Sequence, residues 1–142
     1  MSRAEREAFL AALHVGAISV AEPGRGPLAV PIWYFYEPGA ELWVVTDRDS
    51  RKGRLLAQAR RFSLLAQTET APYQYVSVEG PVAAIEPADL ERHLRPMARR
   101  YLGAELGDRY VDATAGDRDS SVVVRMRPER WLTVDYRKQF GA

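Results

Sequence analysis

The chain has 142 residues, of which 46% are hydrophobic, and it contains no cysteine. This length suits one domain with a substantial core, and the lack of cysteine excludes disulfides, thiolate nucleophiles and cysteine-ligated metal clusters. The 20 basic and 19 acidic side chains leave a formal net charge of +1, so no global field favours nucleic acid or an anionic membrane. The two histidines lie far apart, without the spacing of a metal site. We expect one cytoplasmic domain over residues 1–142, with no metal.

The first part of the chain predicts a short helix followed by three strands. Phe9, Leu10 and Leu13 recur at helical spacing within residues 3–13, and two glutamates stand early in that segment, where the helix dipole favours them. Three apolar runs rich in strand-forming residues follow, separated by Pro-Gly turn sequences, at residues 15–21, 28–36 and 41–46. A β-meander is expected here.

The middle of the chain predicts a helix between two strands. Residues 52–61 have leucines on one side and arginines elsewhere, as in an amphipathic helix, and residues 62–68 return to a strand pattern. The run 73–85 is the longest strand candidate, and its Gly80–Pro81 pair indicates a bend or bulge.

A third helix is expected to begin at Pro87, to kink or break at Pro96 and to end at Gly103. Residues 104–120 show no clear pattern. Two more strands are predicted, at residues 121–128 and 130–137. The fold class is therefore mainly β (α+β), with about six to seven mostly antiparallel strands and peripheral helices, and such sheets avoid exposed edges by closing into a barrel.

Charge is concentrated in the loop that precedes the second helix, at Asp47, Arg48, Asp49, Ser50, Arg51 and Lys52. If Ser50 caps this helix, the first backbone N–H groups point into the loop, where the dipole favours an anion. Arg51 and Lys52 would add donors, so the loop would form a small phosphate cradle. The alternative is a solvated loop in which the charges pair with one another and Ser50 is only a cap.

The series "PLAVPIWYFY", "ELWVVT", "SRK", a helix, "RRFSLLAQ" and "YVSVEG", over about Val15 to Ile85, resembles the pyridoxamine 5′-phosphate oxidase-like superfamily of FMN-binding split β-barrels. The resemblance implies a split β-barrel and a homodimer whose cofactor groove lies at the subunit interface.

The resemblance also implies a set of cofactor-binding residues. Ser50, Arg51 and Lys52 would hold the phosphate, and Thr46 would approach the pyrimidine edge of the ring system. Tyr75 stands where some oxidases of the superfamily have a glutamine that reaches the cofactor. The strand beneath the ring would provide backbone hydrogen bonds and an aromatic wall, from Val30, Pro31, Ile32 and Trp33.

Short single-domain members of this superfamily include reductases that use the deazaflavin coenzyme F-420 in place of FMN. Both cofactors have a tricyclic ring, a ribityl chain and a phosphate, but the deazaflavin continues past its phosphate into lactate and an acidic glutamate tail. Arg48, Arg54 and Arg60 would be able to meet that tail. The strand "PLAVPIWYFY" lacks the Arg…Lys pair of the vitamin-forming oxidases, so we do not expect pyridoxal phosphate production.

The implied activity is hydride transfer between coenzyme F-420, or FMN, and a small conjugated organic substrate. The alternative is a split barrel that binds a flavin, a deazaflavin or a haem-like ligand for storage or sensing. Tyr34, Tyr36 and Tyr75 are candidate proton donors. Because strand residues alternate, Trp33 and Phe35 share one face while Tyr34 and Tyr36 share the other, and only one pair can line the groove.

Overall fold

The computed structural model describes residues 1–117 and 119–140. Within them the chain forms four α-helices: α1 (Arg3–Ala11), α2 (Arg51–Ala59), α3 (Arg95–Leu102) and α4 (Ala104–Ala113). The strands are β1 (Gly16–Val20), β2 (Leu28–Ile32), β3 (Tyr34–Phe35), β4 (Leu42–Asp47), β5 (Arg61–Gln67), β6 (Gln74–Pro87), β7 (Ser121–Met126) and β8 (Arg130–Asp135). A π-helical turn covers Leu90–Leu94, and 3-10 turns cover Ala115–Asp117 and Tyr136–Phe140.

The strands form one curled antiparallel sheet in the order β2-β1-β5-β6-β7-β4-β3, and β8 pairs with β6 outside this path. The 14-residue β6 is shared by two halves of the sheet. Its residues 75–79 lie between β5 and β8, and its residues 82–87 pair with β7. A register shift between Val82 and Ala84 follows the Gly80–Pro81 pair and bends the strand. The predicted mainly β fold is confirmed, as a half-barrel.

The predicted strand 28–36 is divided at Trp33, which accounts for the additional strand. β2 pairs with β1, placing Ile32 opposite Gly16, whereas β3 pairs with β4, placing Tyr34 opposite Val44. One short segment therefore joins the two ends of the strand order and closes the curl. Before Trp33, one edge of β2 pairs with β1. The other edge pairs with no strand within the described part of the chain, so a split remains between β2 and β4.

The core fills the inside of the curl. Alternate strand residues point inward and are fully buried, among them Ile18, Leu42, Val44, Leu64, Val76 and Val78. Leu10 of α1 and Leu56 of α2 are fully buried in the same cluster. The alternation that predicted the strands is thus the pattern of burial on one face.

The third predicted helix was placed too early. β6 continues to Pro87, and helical structure starts after Asp89, whose carboxylate accepts a hydrogen bond from the Arg92 backbone N–H at 2.8 Å. A π-helical turn comes first, and Pro96 then lies in the first turn of α3. Proline has no N–H to donate to the preceding turn, and this position next to the wider π turn accommodates it without a kink inside α3.

The patternless segment 104–120 forms α4 and a 3-10 turn, apart from residue 118, which lies outside the described residues. Gly107, in the middle of α4, weakens the helical pattern but is required by packing. A Cβ at Gly107 would lie 2.8 Å from the Arg99 Cα atom of α3. Asp108 receives hydrogen bonds from Arg95 and Arg99, at 2.9 and 2.8 Å, and these ion pairs join the two helices.

No helix within the described ranges is long and apolar enough to cross a membrane.

Gly80→Ala should destabilise the sheet strongly. A Cβ at this buried position would lie 1.8 Å from the Arg127 carbonyl oxygen, so either β6 or the β7–β8 turn must move. We expect a loss of about 3 kcal/mol in the free energy of unfolding, measured by urea denaturation. Gly26→Ala is the control, because a Cβ there meets nothing within 4 Å. Equal stabilities for the two variants would contradict this packing.

Candidate functional site

Two adjoining cavities open at the split between β2 and β4. The apolar cavity has a volume of about 330 Å³, and its lining includes Ile32, Trp33, Val45, Met97, Ala98 and Tyr110. The loop cavity has a volume of about 540 Å³, and its lining includes Val30, Thr46, Asp47, Ser50 and Arg51. Pro31 and Lys52 line both cavities, which together are called the groove. All the predicted cofactor-binding residues except Tyr75 are brought together here.

Ser50 organises the start of α2. Its Oγ accepts a hydrogen bond from the Gly53 backbone N–H at 3.0 Å and donates one to the Asp47 carbonyl oxygen at 2.7 Å. The predicted cap is therefore present, and the hydroxyl proton goes to the loop backbone and not to an anion. The donors that remain at this end are the first backbone N–H groups of α2, which have no partner within the helix.

The loop packs tightly against α2 at a position that sequence analysis had not singled out. A Cβ at the buried Gly53 would lie 2.1 Å from the Asp47 carbonyl oxygen and 2.9 Å from that of Arg48. Only glycine permits this approach, which folds the loop over the first turn of the helix. The sequence signal for this close contact was a glycine three residues after the serine that caps the helix.

Lys52 is a half-buried cation that lines both cavities. Burial lowers the pKa of its ammonium group. A cation in this position gains from a bound anion, because the anion replaces the lost hydration.

Arg51 is held at the rim of the loop cavity by the β1–β2 turn. Its Nε donates to the Glu22 carboxylate at 3.1 Å, and a second guanidinium nitrogen also contacts that carboxylate. This ion pair raises the pKa of Arg51 and lowers the pKa of Glu22. Glu22 was absent from the sequence predictions. It pairs with Arg51 across 29 residues of sequence, and no local pattern predicts such a contact.

The other arginines of this region divide between the two ends of α2. Arg48 pairs with Asp49 at 3.6 Å, and an Arg54 guanidinium nitrogen donates to the Asp49 carbonyl oxygen, so both lie at the loop. Arg60 is the left-handed C-cap, with φ 54°. It therefore stands at the opposite end of the helix from the groove.

Aromatic side chains form one wall of the apolar cavity. Trp33 stacks on Tyr101 with ring centroids 5.0 Å apart and an interplanar angle of 3°, and its edge meets Tyr110 at 6.0 Å. Leu94, Met97 and Ala98 line the same cavity from the α3 side. The sequence did not predict the contributions of α3 and α4, because the docking of these helices onto the barrel follows from tertiary packing.

The tyrosines proposed from the sequence as proton donors do not line the groove. Tyr34 is buried in the core, where its hydroxyl donates to the Leu10 carbonyl oxygen at 2.7 Å and burial raises its pKa. Tyr36 is also buried, and burial likewise raises its pKa. Trp33 and Phe35 lie on the other face of this segment. Trp33 lines the groove, whereas Phe35 stacks on Trp43. Tyr110 of α4 is a phenol that does line the apolar cavity.

Tyr75 lies outside the groove of its own chain. It belongs to β6, where it pairs with Gln67 of β5 and Val134 of β8. Its side chain is on the outward face of that strand, since the alternate residues Val76 and Val78 are fully buried.

The described residues hold no group of three or more histidine, aspartate or glutamate side chains that could bind a metal ion. The groove instead combines an apolar, aromatic wall with a half-buried ammonium group and a helix N-terminus. Its chemistry suits a planar ring that carries an anionic substituent.

Comparisons with known proteins identify the family and other structures of the same fold. The family model described as pyridoxamine 5′-phosphate oxidase matches residues 2–135. The solved structure of a conserved hypothetical protein, Rv2991 from Mycobacterium tuberculosis, is 27% identical, with a TM-score of 0.79, and the match covers 99% of this chain and 88% of that one.

Two further solved structures share the fold at lower identity. An F420 reductase is 20% identical, with a TM-score of 0.74 and coverage of 89% of this chain and 94% of the other. An FAD-binding protein from Mesorhizobium loti is 19% identical, with a TM-score of 0.63 and coverage of 94% of both chains. No curated protein matches the chain.

Tyr101→Phe should loosen the wall of the apolar cavity. The Tyr101 hydroxyl donates to the His14 carbonyl oxygen at 2.7 Å and accepts from the Tyr34 backbone N–H at 3.1 Å, so it ties α3 to the β2–β3 junction. We expect a loss of about 1–2 kcal/mol in the free energy of unfolding. Tyr73→Phe, at a half-exposed ring, should have no measurable effect. Unchanged stability of the Tyr101 variant would show that these hydrogen bonds are dispensable.

Proposed function

Because the chain belongs to the pyridoxamine 5′-phosphate oxidase family, we propose that it is an oxidoreductase that transfers a hydride between coenzyme F-420, or FMN, and a small conjugated organic substrate. The observation that carries this proposal is the groove, in which an aromatic wall and a cationic helix start lie side by side. The F420 reductase and the FAD-binding protein of the same fold support a flavin-type cofactor.

The residues of the groove fit such a cofactor. Trp33 and the apolar residues of β2 and α3 suit a planar ring, and the start of α2 with Lys52 suits a phosphate. Thr46, near the end of β4, lines the loop cavity, and its neighbour Val45 lines the apolar cavity. When bound, the cofactor supplies the hydride chemistry, and the protein supplies orientation and a dry, charged environment.

β2 is suited to bind the ring edge through its backbone. It occupies one end of the strand order, so the N–H and C=O groups of its second edge are not used by another strand within the described residues. Pro31 lacks an N–H, as is typical of a residue on an edge strand, so it offers a ligand only its carbonyl oxygen. An edge strand that is closed off by a ligand also avoids pairing with other chains.

The substrate side of the groove favours a flat, weakly polar molecule. Met97 and Tyr110 face the space beside Trp33, and the strand beneath has no arginine or lysine for a substrate phosphate. We therefore propose a conjugated acceptor, with Tyr110 as the candidate proton donor in place of Tyr34 and Tyr36. Pyridoxal phosphate production is not proposed.

We also propose that the active form is a homodimer. The outward face of β5, β6 and β8 presents Leu65, Tyr75 and Leu132, and Leu132 is 63% exposed although it lies within a strand. Pairing of this face with a second copy would cover it. Tyr75 would then be buried at the subunit interface and available to the partner's groove.

Cofactor binding should depend on the cationic end of the groove. The wild-type protein is expected to bind coenzyme F-420 or FMN in equilibrium fluorescence titrations, and Lys52→Ala should weaken binding at least about tenfold, because it removes a half-buried phosphate partner. Arg51→Ala should also weaken binding. Lys138→Ala removes an ammonium group that pairs with Glu5 of α1 and should leave the affinity unchanged. If neither cofactor binds to the wild type, the flavoenzyme proposal is wrong.

Turnover separates an enzyme from a storage or sensing protein. The protein loaded with reduced cofactor should transfer hydride to flat conjugated acceptors such as quinones or cyclic enones, with oxidation of the cofactor followed by absorbance. Tight binding without transfer to any of these compounds would favour the non-catalytic alternative.

The homodimer can be tested independently of any cofactor. Leu132→Glu places a charge at the centre of the proposed interface and should convert the dimer to monomer in size-exclusion chromatography with light scattering. Leu106→Glu is the matched control, since Leu106 is similarly exposed but lies on α4. A wild-type protein that is already monomeric would exclude the proposed interface.

A further inference from the structure

Glu22 pairs with Arg51 beside the loop cavity, and the proposed function does not explain this carboxylate. It belongs to the turn between β1 and β2, which is closed by a hydrogen bond from the Arg25 N–H to the Glu22 carbonyl oxygen at 3.2 Å. Its side chain is only 14% exposed and contacts both Arg51 and Arg25. These two guanidinium groups lower the pKa of Glu22, so the carboxylate is ionised at neutral pH. A fixed negative charge therefore stands beside a loop suited to an anion.

The Glu22 carboxylate is shared between Arg51 and Arg25, so it offsets only part of the charge of Arg51. Arg51 and Lys52 contribute positive charge to the lining of the loop cavity, and the N-terminus of α2 adds about half a unit charge. Asp47 adds another carboxylate, whose oxygens accept hydrogen bonds from the Asp49 backbone N–H at 2.7 Å and the Ser120 hydroxyl at 2.9 Å. The cavity thus offers compensation for about one negative charge.

The two candidate cofactors differ in the charge of the phosphate that would lie there. FMN ends in a phosphate monoester, which carries about −1.5 to −2 at pH 7. In coenzyme F-420 the phosphate is bonded on both sides, to the ribityl chain and to lactate. A phosphodiester has no second ionisable group and carries a single negative charge. A cavity with one compensating charge therefore suits the diester better than the monoester.

We propose that Glu22 is a specificity-determining residue: by offsetting part of the charge of Arg51 and repelling a second negative charge, it makes the groove select a phosphodiester cofactor over a phosphate monoester. This inference rests on the proposed cofactor site and resolves the choice between the two cofactors in favour of the deazaflavin. Glu22 also holds the Arg51 guanidinium at the rim, so the same ion pair positions a donor while limiting its attraction for dianions.

The test compares ligands that differ only in phosphate charge. Purified full-length protein is titrated with FMN, with the methyl ester of FMN, which is a phosphodiester with the same ring and ribityl chain, and with coenzyme F-420. The measured quantity is the ratio of the dissociation constants of FMN and its methyl ester. Using this pair removes any contribution of the glutamate tail.

In the wild type the methyl ester should bind more tightly than FMN. In Glu22→Gln the ratio should shift by roughly tenfold towards FMN, because removal of one negative charge near the phosphate favours the dianion more than the monoanion. Glu22→Asp, which keeps the charge, should retain the wild-type preference. Glu129→Gln is the matched control, because Glu129 also pairs with an arginine, Arg61, but does so in the β7–β8 turn. This control should leave the ratio unchanged.

The outcomes distinguish the two proposals. Binding by the wild type with the same ratio in Glu22→Gln, in a variant whose thermal unfolding is unaltered, overturns the role of Glu22 and leaves the cofactor site intact. Binding of FMN in preference to its ester by the wild type also overturns it. Failure of all three ligands to bind overturns the proposed cofactor site and the role of Glu22 together.

Discussion

The groove depends on one constraint: the segment from Leu28 to Phe35 has to pair with two different strands. Its first part follows β1 and its second part follows β4, and these two strands stand near opposite ends of the sheet order. The backbone cannot serve both partners along its whole length, so it changes partner at Trp33. The gap left beside β2 is the split, and Trp33 is placed at its inner end.

The helices α2, α3 and α4 form the other walls of the groove. α2 fills the space after β4, and the close approach at Gly53 directs the helix N-terminus into the gap. α3 and α4 cover the other side, joined to each other through Asp108 and tied to the junction by Tyr101. One end of the groove is therefore apolar and the other is polar. Charges at the polar end act more strongly than on an open surface, because the apolar walls lower the local dielectric.

Local sequence was sufficient for features that depend on periodicity and turn chemistry. Alternation predicted the strands, the Gly80–Pro81 pair predicted the bend in β6, and Ser50 predicted the start of α2. Features that depend on contacts between distant segments could not be predicted in this way. Gly107 weakened the pattern of α4 for a packing reason that exists only against α3, and Glu22 meets Arg51 only after the sheet has closed. The same limit explains why Tyr34 was a candidate donor, since its burial is a tertiary property.

Lys52 connects the stability of the fold to the occupancy of the groove. Burial lowers its pKa in the folded chain, so the folded state disfavours its charged form relative to the unfolded state. The resulting loss of folding stability is fully present at pH values below the pKa of Lys52 in the folded state. It disappears only above the pKa of Lys52 in the unfolded state. An anion bound beside Lys52 removes the cost by favouring the charged form. A ligand that supplies one negative charge at this point would relieve this cost, and its binding to the native state would stabilise the fold.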